Sequence, residues 1–343
     1  MKKLLIVCSL ALLSTGAFAQ LKPHVGVGVG VGTTGIAIDA SATLTPYLGA
    51  RFGVDIMPKI KVSTDLDLGI DPATASKMDI NKMREYVYGN GGSFDSPQPG
   101  SLNAALVAAG QSKIDLSPFP NEQIPTNIDV EGKLNNTTWH FLVDVYPFGD
   151  VSSFHITAGA YFGPKELISV YNKEDKFLSP LTQYNNALAY AQDQAPVYTT
   201  VGGNQIPTNV SAVVQDYDLK MIGAELGDYF ITPDQSGNAK ATIEVNGFRP
   251  YLGLGFGRAV PKGRLGCQFD LGVQFWGSPK IYAPSAAKDD NGNFVKNADG
   301  TLQVQRLQLT EENSGSDAGG VIKTISKVSV YPVLNFRLVG RIL

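Results

Sequence analysis

Apolar and small or polar residues alternate along eight segments of seven to thirteen residues each, close to the length of tilted membrane strands. In the third segment, for example, Phe52 and Val54 alternate with Gly53 and Asp55. A period of two places successive side chains on opposite faces, which is typical of β-strands with one apolar face. The segments are Val25–Gly32, Gly35–Leu44, Leu48–Met57, Trp139–Phe148, Phe154–Phe162, Tyr251–Gly257, Arg264–Trp276 and Lys327–Leu338.

The first segment, VGVGVGVG, contains a G-x-G-x-x-G spacing at Gly30, Gly32 and Gly35. A phosphate-binding loop with this spacing follows a strand and begins a helix. Here the glycines lie inside an alternating segment, and another alternating segment follows at once. We therefore interpret the stretch as a strand with a glycine face, which leaves interior space for bulky side chains. The side chains predicted to use this space are Tyr146, Tyr331 and Arg337.

The connections between the segments alternate in length. Short turns lie around Pro46, at 149–153 and at 258–263, and the other joints are long except for the two-residue link at Thr33 and Thr34. Strands that run up and down then place the short turns at one end and the long loops at the other, as in bacterial outer-membrane barrels. The sequence predicts an all-β fold: an eight-stranded antiparallel up-and-down transmembrane β-barrel with long, partly helical extracellular loops. The long loops are residues 58–137, 163–249 and 277–326.

The chain begins with two lysines, an apolar stretch from Leu4 to Leu13 and the small-x-small motif at 17–19. These features are typical of a secretory signal peptide, and the apolar stretch is too short to span a bilayer as a helix. We expect residues 1–19 to be a signal peptide and residues 20–343 to form the outer-membrane barrel domain. The predicted location is the outer membrane of a bacterial cell.

Composition narrows the range of partners. The 343 residues carry a net charge of −3, with 17% charged residues, which offers no basic surface for nucleic acid. After removal of the signal peptide only Cys267 remains, which excludes an intrachain disulfide and a cysteine metal site. We expect a monomer in contact with outer-membrane lipid and lipopolysaccharide, with no nucleic-acid partner and no cofactor.

Six charged residues fall on the inward face of the predicted strands. Buried charges are tolerated when they are paired and hydrogen-bonded. The turn at Pro46 places Arg51 diagonal to Asp39, and Arg337 lies on a strand beside the one that carries Asp270, so we predict these two pairs. The favoured role is structural filling of the lumen rather than a proton or ion path. The inward charged residues are Asp39, Arg51, Asp55, Asp144, Asp270 and Arg337.

The sequence contains no constellation typical of an enzyme. The only histidines are His24, His140 and His155, and the best catalytic candidate is His140 with Asp144 on the same strand face. Two oxygen-rich stretches, at 65–71 and 288–301, lack the final glutamate of an EF-hand calcium loop. We predict no enzyme activity and no metal site, and we interpret the second stretch as hairpin turns.

The long loops are predicted to form an ordered extracellular cap. Capping residues and apolar spacing indicate helices at 79–88, 101–110 and 179–192. Two further alternating segments, Ile128–Leu134 and Lys240–Gly247, either widen the barrel to about ten or twelve strands or extend existing strands above the membrane. The parity of the turns favours extension.

The strand motifs include DVYPF at 144–148 and FDLGV followed by GSP at 269–279. They resemble the glycine-rich small outer-membrane β-barrel proteins, which are related in architecture to the membrane domain of OmpA-like porins. The resemblance covers the barrel strands and not the long loops. It implies a fold and a location in the outer membrane, and it implies no catalytic residue.

The predicted function is that of a non-enzymatic bacterial outer-membrane β-barrel with a structural or surface-binding role carried by its extracellular loops. The alternative is a small-solute porin or channel, for which additional strands would have to widen the barrel. An outer-membrane enzyme is disfavoured because no catalytic constellation is evident. The sequence predicts an extracellular ligand or surface partner for the loops without identifying it.

Overall fold

A computed structural model describes residues 24–67, 80–108, 110, 112–119, 124–201 and 203–343. The predicted signal peptide at 1–19 and Asp79, the first residue of the helix predicted at 79–88, lie outside the described residues. Among the described residues, no helix is both long enough and apolar enough to cross a membrane.

Eight antiparallel strands close into a barrel. All strands, including those in the long loops, are numbered together in chain order. The barrel strands are β1 (His24–Gly32), β2 (Gly35–Thr45), β3 (Leu48–Ile56), β6 (Thr138–Val145), β7 (Phe154–Phe162), β14 (Phe248–Phe256), β15 (Leu265–Phe275) and β18 (Val330–Arg341). Around the barrel the order is β1-β18-β15-β14-β7-β6-β3-β2, and β1 pairs with both β2 and β18. The predicted eight-stranded antiparallel barrel is confirmed, with strands close to the predicted segments.

Side chains alternate across the barrel wall as the pattern predicts. Val29 and Val31 on β1 are 55% and 61% exposed on the outside, and Leu254 on β14 is 52% exposed. Aromatic rings share this outer surface, among them Phe52 and Trp139, whose centroids lie 5.8 Å apart. The outer face is therefore apolar, and the alternate positions point into the lumen.

The glycine face of β1 receives side chains from β18. A Cβ atom added at Gly28 would lie 2.6 Å from Cζ of Arg337, so the prediction that Arg337 uses this space is confirmed. The other two predicted occupants lie elsewhere, because Arg337 and its neighbours on β18 fill the space beside β1. Tyr146 lies at the short-turn end, and Tyr331 packs on Trp276 with ring centroids 4.9 Å apart.

A second sheet continues the barrel wall beyond the long-loop end. Its strands are β4 (Lys61–Asp67), β5 (Asn127–Leu134), β8 (Glu166–Asn172), β11 (Ala224–Leu226), β12 (Tyr229–Ile231), β13 (Lys240–Glu244), β16 (Lys280–Ala286) and β17 (Val304–Leu309). Breaks of three or four residues separate β3, β6, β7, β14 and β15 from their continuations β4, β5, β8, β13 and β16. The segments predicted at 128–134 and 240–247 form β5 and β13, so they extend the wall and the barrel keeps eight strands.

Helices pack against this sheet and give it a hydrophobic core. They are α1 (Ile80–Tyr88), α2 (Leu102–Ala108), α3 (Ser179–Gln192), α4 (Val210–Asp216) and α5 (Ser316–Ser326), and a hairpin of β9 (Tyr198–Val201) and β10 (Asn204–Pro207) stands beside them. The three predicted helices are confirmed as α1, α2 and α3. The first four helices and β5 enclose a core that includes Leu106, Leu116 and Tyr184, each fully buried. We call the second sheet, the helices and this hairpin the cap.

The stretch at 288–301 forms tight turns, as predicted. Isolated bridges join Lys288 to Phe294 and Lys296 to Leu302. The carboxylate of Asp289 accepts hydrogen bonds from two backbone amides of its own turn, 2.8 and 2.9 Å away. Its oxygens therefore hold the turn, which is the usual role of aspartate in such positions.

Candidate functional site

Arg51 on β3 crosses the lumen to the opposite wall. Its Nη2 donates to Oδ1 of Asp144 on β6 at 2.7 Å, and its Nη1 donates to Oδ2 of Asp270 on β15 at 2.9 Å. All three side chains are buried, and β15 stands four strands from β3 in either direction around the barrel. The predicted pairing of Arg51 with Asp39 is wrong, because the carboxylates that Arg51 reaches lie on β6 and across the lumen on β15.

Arg337 on β18 reaches past β1 to Asp39 on β2. Its Nε donates to Oδ2 of Asp39 at 2.6 Å, and its Nη1 donates to Oε1 of Gln268 at 2.8 Å. The guanidinium passes over Gly28, which has no side chain to block it. The predicted pairing of Arg337 with Asp270 is therefore wrong, since the glycine face opens a path to Asp39 while Asp270 is bound to Arg51.

The sixth inward charge, Asp55, contacts His140. Oδ2 of Asp55 and Nδ1 of His140 form a buried hydrogen-bond contact. The predicted pairing of His140 with Asp144 is not formed, because Asp144 accepts hydrogen bonds from Arg51 and from Thr157 Oγ1 at 2.7 Å. The structure thus places all six predicted lumen charges inside the barrel, with partners that differ from those expected.

Asp144, His155 and Asp270 bring three potential metal ligands together, with ligand atoms within 4.8 Å of one another. Nε2 of His155 lies 2.9 Å from Oδ1 of Asp270. The guanidinium of Arg51 already donates to both carboxylates and supplies the positive charge that a metal ion would bring. The cluster is therefore arranged as a buried ion-pair network, in which each charge has a partner.

The turn between β14 and β15 folds into the lumen and closes the short-turn end. Ala259 is 1% exposed, and its carbonyl oxygen accepts hydrogen bonds from Ser41 Oγ at 2.7 Å and from Arg337 Nη1 at 3.1 Å. Its amide nitrogen donates to Oη of Tyr146 at 2.7 Å. The alternation pattern does not predict this plug, because turn residues have no period that marks an inward face.

An apolar layer fills the lumen on the long-loop side of the ion pairs made by Arg51 and Arg337. Leu142, Tyr161, Tyr251 and Val333 form it, and none of the four is more than 4% exposed. The rings of Tyr161 and Tyr251 pack edge to face, with centroids 5.5 Å apart. With the ion pairs and the plug, this layer fills the lumen with side chains, as expected of eight strands.

Arg249, near the start of β14, ties together three breaks between barrel and cap. Its Nη1 donates to Oδ1 of Asn136 at 2.6 Å, its Nη2 to the carbonyl of Pro164 at 2.7 Å, and its Nε to the carbonyl of Asn246 at 2.9 Å. Its side chain is fully buried. Sequence reasoning assigns Arg249 to the end of the loop 163–249 and so misses it, although it is in phase with the inward-facing Tyr251.

The cap carries an open groove between α1, α2, α4 and β10. Its volume is about 350 Å³, which lies within the range of small-ligand sites. Tyr86 and Tyr217 stand along it and are 61% and 40% exposed. Burial, followed by the proximity of Tyr86 and Asp216, raises the pKa of Tyr217, so its hydroxyl stays a hydrogen-bond donor at neutral pH. The apolar lining consists of Met83, Val87, Leu102, Ile114, Ile206, Pro207 and Val213.

Three of the solved structures that match the chain align with most of it at low similarity. They are CarO2 of Acinetobacter baumannii (TM-score 0.36, 13% identity, 93% of this chain and 98% of that chain), CarO of the same organism (0.33, 13%, 92% and 97%) and a major outer membrane protein from Thermus thermophilus (0.33, 13%, 93% and 99%). No family model and no curated protein matches the chain. The barrel is therefore defined by its own strand pairing, and the resemblance to the glycine-rich outer-membrane family stays a prediction.

Proposed function

We propose that the protein is a bacterial outer-membrane β-barrel that acts at the cell surface through its cap and has no enzymatic activity. The contrast between a filled lumen and an open groove in the cap carries this proposal. The lumen is crossed by Arg51 and plugged at Ala259, whereas the groove offers about 350 Å³ lined by apolar side chains and tyrosines. The open groove therefore supports a binding role for the cap, whereas the filled lumen argues against transport through the barrel.

The surface of the barrel supports a membrane location. Its strands are 8 to 12 residues long, which matches the thickness of a bilayer when the strands are tilted. Their outward side chains form an apolar band, and apart from the apolar layer at Leu142, Tyr161, Tyr251 and Val333 their inward ones are mostly polar or small, which is the pattern of outer-membrane barrels. In water a band of this size would drive aggregation.

The location is tested on the full chain expressed in a Gram-negative cell. We expect the protein in the outer-membrane fraction, with different electrophoretic mobility before and after boiling in detergent. Protease added to intact cells should cleave the cap and leave the barrel, because the cap faces outward in the proposed orientation. A single mobility, or a cap that resists protease on intact cells but not on lysed ones, would overturn the proposal.

The binding role is tested with surface glycans and small apolar compounds, screened by thermal shift on the detergent-purified protein. Compounds that bind in the groove should lose their effect in Ile206→Arg, which places a charge in the lining. Val321→Arg serves as the control, because Val321 lies on α5 outside the groove and is 60% exposed. Binding that survives Ile206→Arg and is lost in Val321→Arg would show that the compounds bind outside the groove.

The channel alternative is tested in planar bilayers. We expect no steady conductance from the intact protein, because charged and apolar side chains fill the lumen. Arg337→Met should destabilise the barrel without opening a path, since Arg51 and the apolar layer remain. Steady conductance of the unaltered protein would favour the small-solute channel over the surface-binding role.

A further inference from the structure

Lysines gather where the barrel strands break before they enter the cap. Lys59 lies in the break after β3, Lys165 in the break after β7, and Lys327 just before β18. Lys133 and Lys280 lie within three residues of two further breaks. The breaks themselves, residues 57–60, 135–137, 163–165, 245–247 and 276–279, contain no aspartate or glutamate. Glu166 and Glu244 flank two of the breaks and pair with Lys240 and Arg306, so the lysines outnumber the carboxylates at the long-loop rim.

The densest part of this rim lies on β4 and β5. Lys61 and Lys133 are direct cross-strand partners, and Lys59 is two residues from Lys61. Like charges directly opposite each other on a sheet are destabilising. Glu131 forms an ion pair with Lys61 at 2.8 Å, but within the described part of the chain no ion pair engages Lys59 or Lys133. Glu131 thus neutralises one of the three ammonium groups, and the other two have no carboxylate partner among the described residues.

These side chains lie on the outer face of the wall. Ile128 and Val130 on β5 pack into the core of the cap, so the alternate positions Glu131 and Lys133 face away from it. Lys61 shares the face of Lys133 because the two residues are in register. The cluster is therefore presented to whatever surrounds the barrel just above its apolar band.

Charge reverses further up the same face. The next outward pair beyond Glu131 is Asp65 opposite Asp129, farther from the barrel. A hydrogen bond from one carboxyl to the other raises the pKa of Asp65. On the outward face of β4 and β5 the lysines are thus confined to the positions nearest the barrel.

The lysine cluster lies at the height at which lipid headgroups would surround the barrel. Trp139, the second residue of β6, lies on the outside near the long-loop end of that strand, in the position of an interfacial aromatic residue, and it stacks on Phe52 at the middle of β3. Lys59 lies three residues beyond Ile56, the last residue of β3, which is about 10 Å of extended chain. A headgroup layer is roughly 5–7 Å thick on each side, and a lysine side chain can extend toward it from above.

We propose that Lys59, Lys61 and Lys133 bind the phosphate groups of lipopolysaccharide in the leaflet around the barrel. The inference rests on the proposed outer-membrane location. Lysine acts as a flexible point charge for phosphate, and a glycolipid that carries more than one phosphate complements a cluster with a surplus of two positive charges. The lipid thereby relieves the repulsion between Lys61 and Lys133.

The test compares the full chain with the triple variant Lys59→Gln/Lys61→Gln/Lys133→Gln, both purified in a non-ionic detergent. The probe is purified lipopolysaccharide, titrated at low and at high salt. Each lysine near an anionic surface contributes about fivefold in affinity at low salt, so the triple variant should bind roughly a hundredfold more weakly. The difference should shrink at high salt, because exposed charges are screened.

A matched variant removes the same charge elsewhere in the cap. Lys220→Gln/Lys288→Gln/Lys296→Gln changes three lysines that lie away from the breaks, and it should retain the affinity of the unaltered protein. Dephosphorylated lipopolysaccharide, and phosphatidylglycerol diluted to about one molecule per detergent micelle, identify the ligand. We expect both to bind at least about tenfold more weakly than lipopolysaccharide, since each then presents fewer phosphates to the cluster.

The outcomes separate this inference from the proposed function. Equal binding of lipopolysaccharide by the triple variant and the unaltered protein would overturn the inference while leaving the barrel in the outer membrane. Equal binding of the dephosphorylated form or of phosphatidylglycerol would overturn the assignment of lipopolysaccharide phosphates as the ligand. Failure of the proposed function would show instead as a single mobility in the boiling test and absence from the outer-membrane fraction.

Discussion

Arg51 in the barrel and Tyr184 in the cap are both fully buried, but they lie among opposite kinds of neighbour. Arg51 is surrounded by carboxylates, while the outside of the barrel carries side chains such as Val29, which is 55% exposed. Tyr184 lies in a core of leucine and isoleucine, while the outside of the cap carries charged residues such as Lys220, whose side chain is 77% exposed. Polarity is inverted between the two regions.

The inversion shows that one chain is adapted to two surroundings. The same five strands run through both regions, with breaks of only three or four residues between them. Below the breaks the apolar side chains face outward, as in contact with lipid; above them the apolar side chains face inward, as in a protein surrounded by water. The breaks therefore mark the level at which the membrane ends in the proposed orientation.

The largest effect is expected from Arg51→Met, which leaves the buried Asp144 and Asp270 without their shared cation. Breaking a buried ion pair by removing one partner costs about 3–5 kcal/mol. Urea unfolding in detergent micelles should show the midpoint falling accordingly. Arg264→Met, an exposed position on the same barrel, is the control and should be neutral. If both variants unfold alike, a polar lumen does not stabilise the barrel.

The junction between the two regions is tested by Arg249→Met. The change removes three hydrogen bonds that a buried guanidinium donates across separate breaks, and we expect a loss of about 2 kcal/mol. Limited proteolysis should cut the cap faster, while the barrel keeps its mobility shift on boiling. Lys323→Met on α5 removes a half-exposed ion pair with Glu311 and should change the cleavage rate little. Equal cleavage of all three proteins would contradict a role for Arg249 at the junction.

The apolar character of the core of the cap is tested by Tyr184→Phe. Among the described residues the buried hydroxyl of Tyr184 has no hydrogen-bond partner, and burial raises its pKa. Removing an unpaired buried hydroxyl should stabilise the cap by about 1 kcal/mol, measured by calorimetry.

The matched control for this prediction is Tyr88→Phe. The hydroxyl of Tyr88 accepts a hydrogen bond from the amide of Leu116 at 2.6 Å, so its removal should destabilise the cap. The two substitutions delete the same atom and are expected to have opposite signs. Two losses of similar size would mean that the core around Tyr184 is not purely apolar.

The smallest effect is expected on the outer surface of the cap, from Asp65→Asn. The hydrogen bond with Asp129 raises the pKa of Asp65, so this contact is favourable below the ordinary carboxyl pKa and is lost as pH rises through the raised value. Asp65→Asn should therefore raise the unfolding temperature slightly at pH 7 and leave it unchanged near pH 3. The exposed Asp95→Asn is the control. A rise in the unfolding temperature of Asp65→Asn that occurs only at low pH would contradict the expected direction of the effect.

The barrel could be predicted from the sequence because alternation fixes both the strands and their faces. Val29 and Phe52 are outside and Arg51 and Asp270 inside, as the pattern predicts. The ion pairs could not be predicted, because neighbours along the chain are not the only neighbours in a closed ring. Arg51 reaches the strand on the opposite side of the barrel. The pairing of adjacent strands does not show which residues meet across the lumen.

Prediction was less complete in the cap for a related reason. Helices with capping residues, such as α2 with Ser101 at its start, were recognisable, as were β5 and β13. The continuation of β7 into β8 was not, since Gly163 and Pro164 signal the end of a strand rather than a break within one. The groove is formed by α1, α2, α4 and β10 together, and it depends on tertiary packing that no single segment specifies.

The span of Arg51 across the lumen has a mechanical consequence. A barrel in a bilayer is subject to lateral pressure from the surrounding lipid, which can flatten a circular cross-section into an ellipse. Bonds from Arg51 to Asp270 join opposite walls directly, at 2.9 and 3.1 Å, so widening along that diameter must first break them. The cross-section of this barrel is therefore fixed along one diameter by a single side chain, independently of the hydrogen bonds that run around its circumference.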